Sequence, residues 1–290
     1  MRLSLRHAAA VTGALLFVLA SAQAARAADR WTQTGQSFAS VYYWQGIGFD
    51  PASRSFFFDG PEQGLWRTDA NLNWRAGRSV GIPAAVTAAR GWNHLGDLTY
   101  DARAKRLLVP LECYYPGAPD PNTCHTGAVG VIDPTTLAWR YHVTLGGIPK
   151  AMWNEISPDG AWLWTSSGTD LVAYDAAQIT AANAGATLAP AKVIPGVLRA
   201  ASVTGATFLG DRLYVALDRG TYQQVLSYPV DPATGDVGAA WRLEIQRTKT
   251  STLYESEGLA AADALGGTLH WQIQPQLPFY TRILHFVPAA

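Results

Sequence analysis

An all-β fold of five similar units is predicted by three observations. First, a unit of short strand, tight turn, second apolar strand, loop and third strand recurs, with starts near residues 46, 94, 153, 204 and 257. Second, the chain carries 11 tryptophans and 12 tyrosines with only 15% charged residues, a composition suited to pleated, half-buried surfaces. Third, apolar residues almost nowhere recur at helical spacing. Four-stranded units recurring at about this interval are the signature of a β-propeller. Five blades are expected, or six if the N-terminal stretch builds more than one strand.

The elements follow in order. Residues 1–27 read as a secretory leader: the basic "MRLSLRH", the apolar "AAAVTGALLFVLA", and "SAQAARA" with cleavage sites after Ala24 or Ala27. The apolar run is too short for a comfortable membrane span. Residues 28–290 are then a single propeller domain. "SFASVYYW" (37–44) is a spare strand. Units follow at 46–69, 94–133, 153–175, 204–231 and 257–288, with turns such as "DPAS", "SPDG" and "DPATGD" supplying the Pro, Asp and Gly that tight turns need. "WRYHVTL" (139–145) and "WRLEIQ" (241–246) are fourth-strand candidates. "AAQITAANAGA" (176–186) reads as a turn or two of helix. The last unit ends after its third strand at "RILHFVP", so residues 37–44 are free to complete it. The ring is thus expected to close with the N- and C-terminal strands in one blade.

Removing the leader leaves 19 basic against 22 acidic side chains, a formal balance of −3. Without lysine or arginine clusters, such a chain is a poor partner for nucleic acid or an anionic membrane. A secreted or periplasmic monomer acting on a small-molecule or glycan ligand is expected. In an oxidising compartment Cys113 and Cys124 should pair and close the loop "CYYPGAPDPNTC".

In a propeller the first strand of each blade lines the central channel. His94 and Asp97 begin one such strand, Asn154 and Glu155 another, and Glu257 a third. A ring of oxygen-bearing side chains from separate blades suits a hard divalent cation, Ca²⁺ above all. The competing reading is that Asp97 and Asn154 bond to neighbouring backbone and tie blades together. Loops on the same face should bring Tyr114, Tyr115, Tyr222, Phe279 and Tyr280 around the mouth as a substrate-binding rim.

"WNEISPDGAWLWTSSGTDLVAYD" (153–175) and "ESEGLAAADALGGTLHWQI" (255–273) resemble the calcium-dependent propeller hydrolases, the gluconolactonase, paraoxonase and strictosidine synthase group with the esterase-like phytases. Glu257 falls on that group's E-G-L motif, and Ser157-Pro158-Asp159-Gly160 on its S-P-D-G turn. The family asparagine's place is taken by Met152, with Asn154 two residues on. The resemblance implies Asp97, Asn154 and Glu257 as calcium ligands, with Glu155 or His94 as general base in ester or lactone hydrolysis. Two alternatives stand beside it. One is a non-catalytic glycan- or protein-binding propeller with a structural channel ion. The other is a five-bladed glycosidase or lyase using channel carboxylates. No G-x-S-x-G elbow, S-x-x-K, H-E-x-x-H, P-loop or dinucleotide-binding fingerprint occurs.

Overall fold

The computed structural model describes residues 30–60, 63–251, 254–275 and 280–290. The leader and Phe279 lie outside the described residues. The described strands form five sheets, antiparallel but for one short strand, arranged as a five-bladed β-propeller. The chain opens with β1 (Trp31–Ala39). Blade 1 holds β2 (Ile47–Asp50), β3 (Ser55–Gly60), β4 (Gly64–Asp69) and β5 (Trp74–Arg78). Blade 2 starts with an inner strand broken into β6 (His94–Leu95) and β7 (Thr99–Asp101). It continues through β8 (Arg106–Glu112), β9 (Ala128–Ile132) and β10 (Trp139–Leu145). Blade 3 follows as β11 (Glu155–Ile156), β12 (Trp162–Ser167) and β13 (Asp170–Asp175). The short β14 (Thr187–Leu188) returns to pair with β10 in parallel, and β15 (Lys192–Ile194) closes blade 3. Blade 4 is β16 (Val203–Leu209), β17 (Arg212–Arg219), β18 (Tyr222–Pro229) and β19 (Arg242–Thr248). Blade 5 is β20 (Tyr254–Ala264), β21 (Gly267–Pro275) and β22 (Thr281–Pro288), with β1 as its outermost strand.

The period-2 alternation of each strand explains the packing. Phe57 points to the interface of blades 1 and 2, while Phe56 and Phe58 point to that of blades 5 and 1. Leu171 and Ala173 pack toward blade 4, and Val172 and Tyr174 toward blade 2. One apolar cluster fills each of the five junctions, so the core is divided among interfaces between neighbouring blades.

The ring closes with both termini in one blade: Trp31 lies opposite Pro288 and Ala39 opposite Thr281. The closing strand is 31–39 rather than 37–44. The chain turns after Ala39 because Tyr43 stacks on Phe58, with ring centroids 4.5 Å apart, and the Trp44 amide donates to the Asp59 carbonyl. A hydrogen-bonded file crosses the seam. His270 Nε2 lies 2.8 Å from the Ala262 carbonyl, His270 Nδ1 2.9 Å from His285 Nδ1, and His285 Nε2 2.8 Å from Ser37 Oγ. A carbonyl accepts only, so His270 carries its proton on Nε2. His285 then donates from Nδ1, and its Nε2 accepts from the serine hydroxyl. Burial pushes His270 down to about 4 and lowers His285 too, which keeps the file neutral.

A short helix, α1 (Ala84–Arg90), departs from the expectation of almost no helix. Two turns are too few to show a period. It is bounded instead by Pro83 and by Gly91, whose φ of 82° and N–H to the Thr87 carbonyl close the C-terminus. Residues 176–186 form two 3₁₀ turns, Ala176–Gln178 and Ala181–Asn183.

Candidate functional site

Three levels lie along the propeller axis. The middle level is Asp97, fully buried. Its N–H donates to the Met152 carbonyl at 2.9 Å, and its carbonyl accepts from the Asn154 amide at 3.1 Å. Its Oδ1 accepts from the Ile47 amide at 2.9 Å. Its Oδ2 accepts from the Ala206 amide at 2.9 Å and the Leu259 amide at 3.3 Å. One residue of blade 2 is therefore bonded to each of the other four blades.

That approach requires glycine beside it. A Cβ on Gly205 would stand 2.4 Å from the Glu257 carbonyl and 2.8 Å from Asp97 Oδ2; on Gly258 it would stand 2.7 Å from Asp97 Oδ1. Burial drives the Asp97 carboxyl up and its amide donors pull it back down, with the nearby Asp59 carboxyl adding to the rise. Asp59 is raised too, by its own burial. The three amide donors on Asp97 favour its charged form.

A cation-binding carboxylate must turn its lone pairs to the ion, and those of Asp97 already carry amide hydrogens. Among the described residues no group of three or more His, Cys, Asp or Glu side chains is placed to hold a metal ion. Asp97, its lone pairs taken by amides, does not fit the role of a calcium ligand. The blade-tying role weighed for Asp97 describes its geometry.

The upper level is the mouth, where the inner strands begin. His94 Nε2 lies 3.9 Å from Glu112 Oε1, and Lys150 Nζ lies 3.3 Å from Glu112 Oε2. Burial, aided by the Lys150 charge, pushes His94 down to about 4. Burial pushes Glu112 up to about 7 against the pull of Lys150. Glu257 is raised well above the usual carboxylate range, first by burial and then by Glu255, Asp218, Glu112 and Asp97. Asp218 Oδ1 meets Lys249 Nζ at 2.5 Å, while its Oδ2 accepts from the Ser256 amide at 2.8 Å. Several buried polar atoms at this end have no hydrogen-bond partner among the described residues: His94 Nδ1, both amide atoms of Asn154, Gln223 Oε1 and Gln274 Oε1.

The loop beside the mouth is braced at two points. Cys113 and Cys124 form a disulfide with Cα atoms 5.8 Å apart. Asn93 accepts from the Tyr114 amide at 2.7 Å and donates to the Tyr114 carbonyl at 2.9 Å. The Tyr114 ring lies 5.1 Å from that of His94, and Lys150 approaches its face at 6.0 Å. Tyr114, Tyr115 and Tyr222 are exposed at this end. Tyr280 instead packs edge-on against Phe38 of β1, ring centroids 4.8 Å apart, which places it by the outermost strand of blade 5. Replacing both cysteines with serine should lower stability by about 3 kcal/mol, from the freedom regained by the loop in the unfolded chain. Thermal melts of the oxidised wild type and the double variant check this.

The lower level is a cavity of about 250 Å³ below Asp97, where the inner strands end. Glu155 opens onto this cavity, not onto the mouth that holds His94. The two residues named for general-base work are thus held apart by the Asp97 level. Glu155 Oε1 accepts from the Phe208 amide at 3.1 Å and from the Thr207 hydroxyl at 3.4 Å, and burial raises its carboxyl to about 7.

Sequence reasoning missed Glu112, Lys150, Asp218 and Lys249. Glu112 had a readable signal, as the lone acid at the end of the buried run "RLLVPLE", directly before Cys113. Lys150 stands in the loop before an inner strand, the position that singled out His94. Asp218 and Lys249 lie 31 residues apart and meet only through the blade 4 sheet.

No protein-family model matches the chain, and no curated protein matches it in sequence. Among solved structures it is similar to Kuenenia stuttgartiensis hydrazine synthase, at 14% identity and a TM-score of 0.45, over 86% of this chain and 61% of that one. It is also similar to the Neurospora crassa Pan2 WD40 domain, at 11% identity and a TM-score of 0.41, over 91% of this chain and 74% of that one. The chain thus spans less than two thirds of the hydrazine synthase chain that it matches. At these identities the likeness concerns the fold alone.

Proposed function

We propose that this chain is an exported propeller that binds a polyhydroxylated, glycan-type ligand at its upper mouth. The observation that carries this reading is the combination of buried carboxyl and amide acceptors with an exposed, braced aromatic. Glu112 and Glu257 offer acceptors for hydroxyl donors, Gln223 and Gln274 keep buried amide oxygens without a partner among the described residues, and the neighbouring Tyr114 offers an apolar face for a sugar ring. The disulfide and Asn93 hold the Tyr114 loop, so little ordering entropy is lost when a ligand arrives. The leader-like N-terminus and the disulfide both support export. The calcium-assisted ester or lactone hydrolysis that the family resemblance implies finds no support in the arrangement of Asp97, Asn154 and Glu257.

One observation favours a catalytic form of the same reading. Glu112 and Glu257 are both raised by burial, the direction that suits a general acid for glycosidic cleavage.

The test is a glycan array with the mature protein, followed by calorimetry on the glycans retained. Saturable binding is expected, weakened at least about tenfold by Tyr114→Ala, or about 1.4 kcal/mol. If no glycan is retained, the reading fails. New reducing ends that vanish in Glu257→Gln would establish the catalytic form.

A further inference from the structure

We propose that the lower chamber is a second binding site, for a small ammonium compound with an apolar body, held by the carboxylate of Glu155. The proposal rests on the cavity and is independent of the reading of the mouth. Its volume of about 250 Å³ is that of roughly eight water molecules, enough for a ligand of about ten non-hydrogen atoms.

The chemistry of its wall is asymmetric. Glu155 stands at one side with the hydroxyls of Thr99 and Thr207 donating to it. Phe49, Phe208 and Ile156 supply the apolar surface around it. No lysine or arginine pairs with Glu155 among the described residues.

The other charged groups lining the cavity are engaged elsewhere. Asp101 is held by Arg106 at 2.9 Å, and Arg103 donates to the Asp159 carbonyl of the next blade. A buried carboxyl without a cation, opening onto a chamber large enough to admit one, selects a positive head group. Two phenylalanines beside it favour a cation that carries an alkyl or aryl body. The carboxyl's rise to about 7 is consistent with this. A proton fills the role that an ammonium group would take over.

The probe is 2-phenylethylamine, titrated by calorimetry into the mature protein, with the neutral 2-phenylethanol as its isostere. The amine is expected to bind with a Kd of about 1 mM or tighter. Affinity should fall about tenfold or more for the alcohol and for Glu155→Gln. Ala261→Leu, which fills the chamber wall and leaves the carboxyl intact, should abolish binding, and it keeps the test open if Glu155→Gln folds poorly. No measurable amine binding would overturn the proposal. So would equal affinity for the alcohol, or unchanged affinity in both variants.

Discussion

Asp97→Ala is expected to lose a large part of the protein's stability. The substitution removes the acceptor for three buried amides, those of Ile47, Ala206 and Leu259, which belong to three different blades. Each amide left unsatisfied costs about 1–3 kcal/mol, so the total is about 3–9 kcal/mol. A whole domain has only about 5–15 kcal/mol to lose. Water cannot readily replace the carboxylate, because the backbones at Gly205 and Gly258 crowd the position. Asp97→Asn keeps one carbonyl oxygen and should fall between wild type and alanine. Soluble yield and circular-dichroism melts decide the matter. An alanine variant melting within about 5 °C of wild type, a span of about 1–2 kcal/mol for a chain of this size, would show that Asp97 does not tie the blades.

The second large effect is in pH. Glu155 titrates near 7 in the folded protein and near 4.5 in the unfolded chain. The folded state therefore binds the proton more tightly, and stability falls as pH rises from about 4.5 to about 7. The full difference is about 3 kcal/mol. Glu155→Gln has no proton to lose, so it should gain on wild type by about that amount across the window. Glu112, also near 7, acts in the same direction, while His94 and His270, both near 4, act in the opposite one. Only the difference between variant and wild type isolates Glu155. Urea denaturation of both proteins at pH 4.5, 5.5 and 7 measures it. A gap that stays constant would mean that Glu155 titrates normally.

The blades were legible because their signals are local. Turns such as "DPAS" and "SPDG" lie within one hairpin, and the alternation around Phe56, Phe57 and Phe58 is set by the pleat. The glycines of Gly46-Ile47, Gly96-Asp97, Gly205-Ala206 and Gly258-Leu259 were also visible, though their reason was not. Gly205 and Gly258 close on the Asp97 carboxylate, while Gly46 and Gly96 close on the backbone of the neighbouring blade, and no single repeat contains that information. The candidate site was legible only in part. His94, Glu257 and Tyr114 were found by their place before or between strands. Glu112 and Lys150, 38 positions apart, gain meaning only once the intervening chain folds back to pair them.

The sequence by itself determined the repeated strand units, the closing of the ring by both termini and the Cys113–Cys124 pairing, and left five or six blades open. Each of these follows from spacing or from the behaviour of one short segment. Only the tertiary structure decided what the axial residues do. It showed Asp97 as the knot joining five blades, and it set His94 and Glu155 in separate chambers above and below that knot. The physical reason is that a buried carboxyl is defined by its partners. Those partners are amides, lysines and hydroxyls that the blades bring from as far as 162 residues away.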